Sequence, residues 1–163
     1  MSARIPLHAL TLHRPWPWAL TFGGKTIENR GWAPPDWQVG RFLAIHAGKA
    51  WNQDGADRIK QLAPQLPGSS ADHPLGIVAV VRVIGVIEQV EQKRLVAWWS
   101  DAPSTAHPNM RWFTGPFGWI VDSAVAIHPP VACRGQQGLW PVPTEALALV
   151  RERWKAARDD ANR

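Results

Sequence analysis

Short runs in which every second residue is apolar, separated by glycine- and proline-rich stretches, dominate the chain, and they predict strands more than helices. Residues 7–12, LHALTL, read as a first strand with Leu10 and Leu12 on one face. The segment RPWPWALTFGG then predicts a short helix. Pro17 suits a first helical turn, Trp18 and Phe22 fall four residues apart on one face, and Gly23 with Gly24 ends it. Residues 23–32, GGKTIENRGW, gather a lysine, a threonine, a glutamate, an asparagine, an arginine and a tryptophan around one apolar side chain, Ile27. On strand alternation Thr26, Glu28 and Arg30 share one face and Lys25, Ile27 and Asn29 the other. With Ile27 in the core, Glu28 and Arg30 point together elsewhere and can pair. The ribbon is either a solvated hairpin edge or one wall of a pocket.

Further along, PPDWQVG is a turn-rich connection and RFLAIHA a strand ending near Gly48. A short helix is expected around residues 57–62, followed by a mobile loop, PQLPGSSADHP. The β-branched run GIVAVVRVIGVIEQV, residues 76–90, is the strongest strand signal, with Gly85 placed for a bend or bulge. A short helix is expected over 91–99 and a loop over SDAPSTAHPN. FGWIVDSAVAIH predicts a strand broken at Asp122 and Ser123, and residues 129–143 an irregular segment with a short strand at 139–142. The last pattern has the helical period: Thr144 is the expected N-cap, and Leu147, Val150 and Trp154 lie on one face. Strands interrupted by short helices, without long crossover helices, give a mixed α+β class built on a small curled sheet.

Composition narrows the function classes. A chain of 163 residues suits a single domain, 1–163, in which 144–163 is a helical extension. No apolar run approaches membrane-spanning length, and the start, MSARIPLHAL, lacks a secretory pattern, so a soluble, cytoplasmic protein with no membrane partner is expected. Cys133 is the only cysteine, which rules out an intrachain disulfide and a thiolate zinc site. The six histidines have no two-ligand spacing, and no phosphate-loop or dinucleotide motif occurs, so no metal and no cofactor is expected. The formal charge of +5 and pI near 10.1 favour polyanionic partners, although the basic residues are scattered. Eleven tryptophans stand beside no tyrosine. Trp98, Trp140 and Trp154 have apolar contexts that suit packing, whereas Trp16, Trp18, Trp32 and Trp119 lie beside prolines, glycines or charges and are candidate stacking faces.

Five motifs in order, LTLHRPWPWAL, GGKTIENRGW, GRFLAIHAGKAW, FTGPFGWIVDSAVAI and ACRGQQGLWPVP, resemble the ASCH domain family of the PUA-like superfamily, over roughly residues 7–143. The resemblance implies a small PUA-like β-barrel with surrounding helices and a cleft between the barrel and the helix after the first strand. There it implies binding of RNA, single-stranded nucleic acid or a nucleotide. The binding residues it carries over are Lys25, Glu28 and Arg30, with Trp16 and Trp18 before them; His46, Lys49 and Arg134 follow from the later motifs, and Thr26 is the nearby hydroxyl.

Some proteins of this family are amidohydrolases acting on N4-acetylcytidine, and others are ribonucleases, so Lys25 and Glu28 are also the candidate catalytic pair. The amidohydrolases carry a threonine three positions after their lysine, where this chain has Glu28. A lysine acting as nucleophile must shed its proton; a nearby cation such as Arg30 favours that and a nearby carboxylate opposes it. Cys133 beside Arg134 is a further nucleophile candidate, although its apolar neighbours suit a small buried residue better. Exposed prolines and tryptophans leave a protein-interaction module as the third class.

Overall fold

The computed structural model describes residues 4–100 and 107–163. The elements follow the order β1 (His8–Arg14), α1 (Trp16–Thr21), β2 (Ile27–Arg30), β3 (Phe42–Trp51), α2 (Gln53–Leu62), β4 (Gly76–Gln89), β5 (Leu95–Trp99), β6 (Phe117–Val131), β7 (Leu139–Pro141) and α3 (Thr144–Ala161). One mixed sheet has the order β2-β6-β4-β3-β1-β7, with β5 paired to the far half of β4. Among the described residues β1 and β3 form the one parallel pair, and the other pairs are antiparallel. The sheet curls into a half-barrel. Among the described residues no ladder joins its end strands β2 and β7, so the curl leaves an open seam.

The central strands are buried on both faces, and alternation sorts their side chains between two cores. Leu10, Leu12, Leu43, Ile45, Ala79, Val81, Trp119 and Val121 fill the concave side. Ala9, Ala44 and Val80, one position out of phase, and Ile127, which lies beyond a bulge in its strand, meet Ala146 and Val150 of α3 on the convex side. A third cluster joins Ala19 of α1, Ile27 of β2 and Ala56 and Ile59 of α2. Complete burial of Trp119 removes about 200 Å² from water, worth roughly 5 kcal/mol before entropy is counted. Register shifts interrupt several ladders of the sheet, and two lie where β4 meets β6 near its middle. β6 gains a residue around Ser123 (φ 54°) and β4 gains one between Val83 and Gly85. The expected break at Asp122 and Ser123 is therefore a bulge inside a continuous strand, clamped by two Arg82–Asp122 hydrogen bonds of 3.0 and 2.7 Å.

Other expectations change. The helix expected over 91–99 is a tight turn at 91–93 followed by β5, because β3 covers β4 only as far as Arg82 and leaves the edge at 85–89 for Leu95–Trp99 to fill. As an edge strand β5 leaves Trp98 47% exposed, so this tryptophan is not the core residue its neighbours suggest. Thr144 is the first helical residue rather than the cap; Pro143 precedes the helix and its carbonyl accepts from the Leu147 amide at 2.8 Å. α2 starts earlier than expected because Asn52 caps it, its Oδ1 accepting from the Gly55 amide at 2.7 Å. The loop expected to be mobile is held by Arg14, which donates to the carbonyls of Ser70 and His73 at 2.9 and 2.8 Å. Part of the loop expected over 100–109, residues 101–106, lies outside the described residues. No helix among the described residues is long and apolar enough to cross a membrane.

Candidate functional site

The GGKTIENRGW ribbon begins where α1 ends. A Cβ on Gly23 would lie 2.8 Å from the Trp18 ring, and Gly24 takes φ 73°, a left-handed conformation that glycine adopts freely. The turn brings the Lys25 amide back to the Ala19 carbonyl at 3.0 Å. Lys25 thus precedes β2 and escapes its alternation. Ile27 inserts into the cluster beneath α1 and α2, and Glu28 turns to the other side, opposite the fully buried Trp119.

Lys25, not Arg30, is the close partner of Glu28. Lys25 Nζ donates to Glu28 Oε2 at 2.8 Å, and their side chains are 2% and 10% exposed. Arg30 Nη1 lies 3.9 Å from the second carboxylate oxygen and remains 23% exposed. The Lys25 ammonium is also 5.0 Å from the Trp16 ring centroid, and Arg30 5.7 Å from that of Trp32. Trp16 is seated on α2: a Cβ on Gly55 would stand 2.8 Å from its indole nitrogen. The capped first turn of α2 therefore places the aromatic that covers the ion pair.

These groups line a cleft at the seam of the half-barrel. A compartment of about 390 Å³ has Trp16, Lys25, Glu28, Asp54, Arg58 and Trp112 on its walls. A second, about 600 Å³, has Glu28 and Arg30 on one side and His13, Gln136 and Gln137 on the other. The two share Trp16, Glu28, Asn29 and Asn52. Charge in the smaller one nearly cancels, because Lys25 faces Glu28 and Asp54 accompanies Arg58. Such a site offers an aromatic face, fixed donors and a carboxylate acceptor without a strong net field, and suits a planar polar ring better than a polyphosphate.

A third hollow, about 710 Å³, contains Lys49, Arg134 and His46 and meets the seam at Thr11, Gln136 and Gln137. His46 is a buried brace: its Nε2–H donates to the Cys133 carbonyl at 2.8 Å, and among the described residues its Nδ1 has no hydrogen-bond partner. Gly135 lies so close that a Cβ there would be 2.7 Å from the His46 ring.

Two sequence candidates fall elsewhere. Trp18 lines a separate hollow of about 100 Å³ with Pro17 and Phe22, because residues two apart in α1 project to different sides of the helix and so part Trp16 from Trp18. Thr26 Oγ1 accepts from the Asn109 amide at 2.9 Å and ties down the 109–112 turn. Trp119 is core, donating its indole N–H to the Trp32 carbonyl at 3.0 Å, whereas Trp32 borders the cleft. Burial pushes the Cys133 thiol pKa up, which disfavours the thiolate that a nucleophile needs.

Asn29, Asn52, Asp54, Arg58, Trp112, Gln136 and Gln137 were not singled out by pattern. Asn29 carries three bonds, donating to the Trp112 carbonyl at 2.8 Å and accepting from the Thr114 and Gly115 amides at 2.8 and 3.3 Å. The one available signal was the polar pair Gln136-Gln137 between two glycines. No family model matches the chain, and no curated protein matches it.

Proposed function

We propose that this protein is an ASCH-type, PUA-like barrel that binds RNA or a nucleotide by taking a base into the seam cleft. The observation that carries the reading is the buried Lys25–Glu28 pair beneath Trp16, with Arg30 on the open side of the same carboxylate. Lys25 and Arg30 donate to base carbonyls or a nearby phosphate. Glu28 orients both and accepts from an amino or imino edge, and Trp16 or Trp32 bounds the ring. A base stacked on an aromatic is worth about 1–3 kcal/mol, and a charge-assisted hydrogen bond about 1.5–3 kcal/mol.

The test is a titration of the four ribonucleosides and short single-stranded RNAs, followed by calorimetry and tryptophan fluorescence, on the wild type and on Lys25→Ala and Glu28→Gln. Binding that weakens at least tenfold in both variants supports the reading. Absence of binding to every probe, or equal binding by all three proteins, overturns it.

One observation favours hydrolysis at the same place as a second reading. Asp54 enters the compartment of Lys25 and Glu28, so two carboxylates and an amine surround one small volume. Release of acetate from N4-acetylcytidine, or of shorter fragments from RNA, abolished in Lys25→Ala, would establish it. The 2.8 Å contact of Lys25 with Glu28 occupies the amine with a carboxylate partner, which supports binding as the first reading.

A further inference from the structure

Charge is unevenly divided along the seam. The compartments around Glu28 set three cations, Lys25, Arg30 and Arg58, against two carboxylates, Glu28 and Asp54, whereas the hollow beyond Gln136 and Gln137 is bordered by Lys49 and Arg134 and, among the described residues, by no acidic one. Among the described residues neither cation forms an ion pair, and both are exposed. Thr11, Gln136 and Gln137 border both spaces, so the two hollows adjoin along one line of residues. The segment carrying Arg134, Gln136 and Gln137 is also held in place. His46 grips the Cys133 carbonyl at 2.8 Å, and Gly135 rests against the His46 ring.

We propose that the cleft is built for a strand of at least two nucleotides, with a base beside Trp16 and Glu28 and the adjoining phosphate between Lys49 and Arg134. This rests on the nucleotide reading of the first compartment and narrows the ligand class from nucleoside to oligonucleotide. The polar amides of Gln136 and Gln137 stand where the sugar linking the two passes, and offer both donors and acceptors to its hydroxyls. A free nucleoside fills only the part where carboxylates offset most of the cations, and leaves the purely cationic hollow unused. An oligonucleotide uses both, and its affinity gains a salt dependence that the nucleoside lacks.

The experiment compares the four ribonucleosides with mixed-sequence RNA tetramers by calorimetry, at several salt concentrations, on the wild type, Lys25→Ala and the double variant Lys49→Ala/Arg134→Ala. The substituted side chains of the double variant are exposed, and a thermal melt verifies its fold. The expected result is a tetramer bound at least tenfold more tightly than the best nucleoside. In the double variant that gain disappears, nucleoside affinity is unchanged, and the slope of log K against log salt flattens by about 0.7, the value for one phosphate contact on a single strand. A tetramer bound no more tightly than a nucleoside, or a gain that survives the double substitution, overturns the extension. The base site then stands alone if nucleoside binding still depends on Lys25. Failure of nucleosides and tetramers alike to bind the wild type overturns both readings.

Discussion

Glu28→Ala removes the carboxylate from between two cations and leaves Lys25, whose side chain is 2% exposed, with only the face of Trp16 at 5.0 Å. At 2.8 Å and an effective dielectric near 20 the direct attraction is roughly 6 kcal/mol, and most of it repays the desolvation of both ions. Removal of one partner is therefore the costly operation. Glu28→Ala should destabilise by about 3–5 kcal/mol, or about 6–20 °C in melting temperature for a domain of this size. Lys25→Ala should cost less, about 2 kcal/mol, because Glu28 keeps Arg30 at 3.9 Å and some contact with water. The double variant should be no less stable than Glu28→Ala alone, which gives a coupling of about 2 kcal/mol in the cycle. Urea denaturation of the four proteins measures it. Equal single costs that simply add would show that the two side chains are independently solvated, and the buried ion pair at the base of the cleft would have to be abandoned.

Gly55→Ala should keep or slightly improve helicity, since alanine is favoured in a helix by about 1 kcal/mol, yet it drives the Trp16 indole off α2. Nucleoside affinity should fall while circular dichroism is preserved; unchanged affinity would remove Trp16 from the site. His46→Ala frees the Cys133 carbonyl and should cost about 1 kcal/mol in stability while loosening tetramer binding more than nucleoside binding. Cys133 should react slowly with iodoacetamide at pH 8 in the native protein and at the rate of a free thiol in urea, because burial holds its pKa above the ordinary thiol range. The unfolded thiol ionises first, so its contribution to stability is fully present below the ordinary thiol range and is lost as pH rises from there through the raised native value. Trp98→Ser with Trp99→Ser should leave nucleoside affinity unchanged, since both tryptophans lie exposed on β5; loss of affinity would place that strand in the site.

Much of the fold was legible because alternation and turn chemistry are local. The period-two runs mark β1, β3, β4 and β6, Gly23 and Gly24 end α1, and Ile27 is marked as the anchor of its ribbon by being the one apolar group in it. β5 was misread because its aromatic run fits a helix or a strand equally, and only the vacant edge of β4 decides between them. The pairing of Glu28 was misread for a related reason. Alternation applies only inside the strand, and Lys25 stands before it on a turn whose direction depends on Gly24 and on the Ala19 carbonyl.

What the chain determined by itself is the set of elements and the concentration of lysine, glutamate, arginine and tryptophan in residues 16–32, since each follows from residue type and spacing. What only the tertiary structure decided is which of those groups meet. The curl of the sheet brings β2 to face the 136–138 segment across an open seam, Asn52 and Gly55 of a later helix seat Trp16, and Lys49 and Arg134 come to border one hollow although 85 residues apart, as 134 less 49. Such contacts depend on bulges and strand order, which are settled by packing across the whole sheet and leave no periodic trace in the sequence.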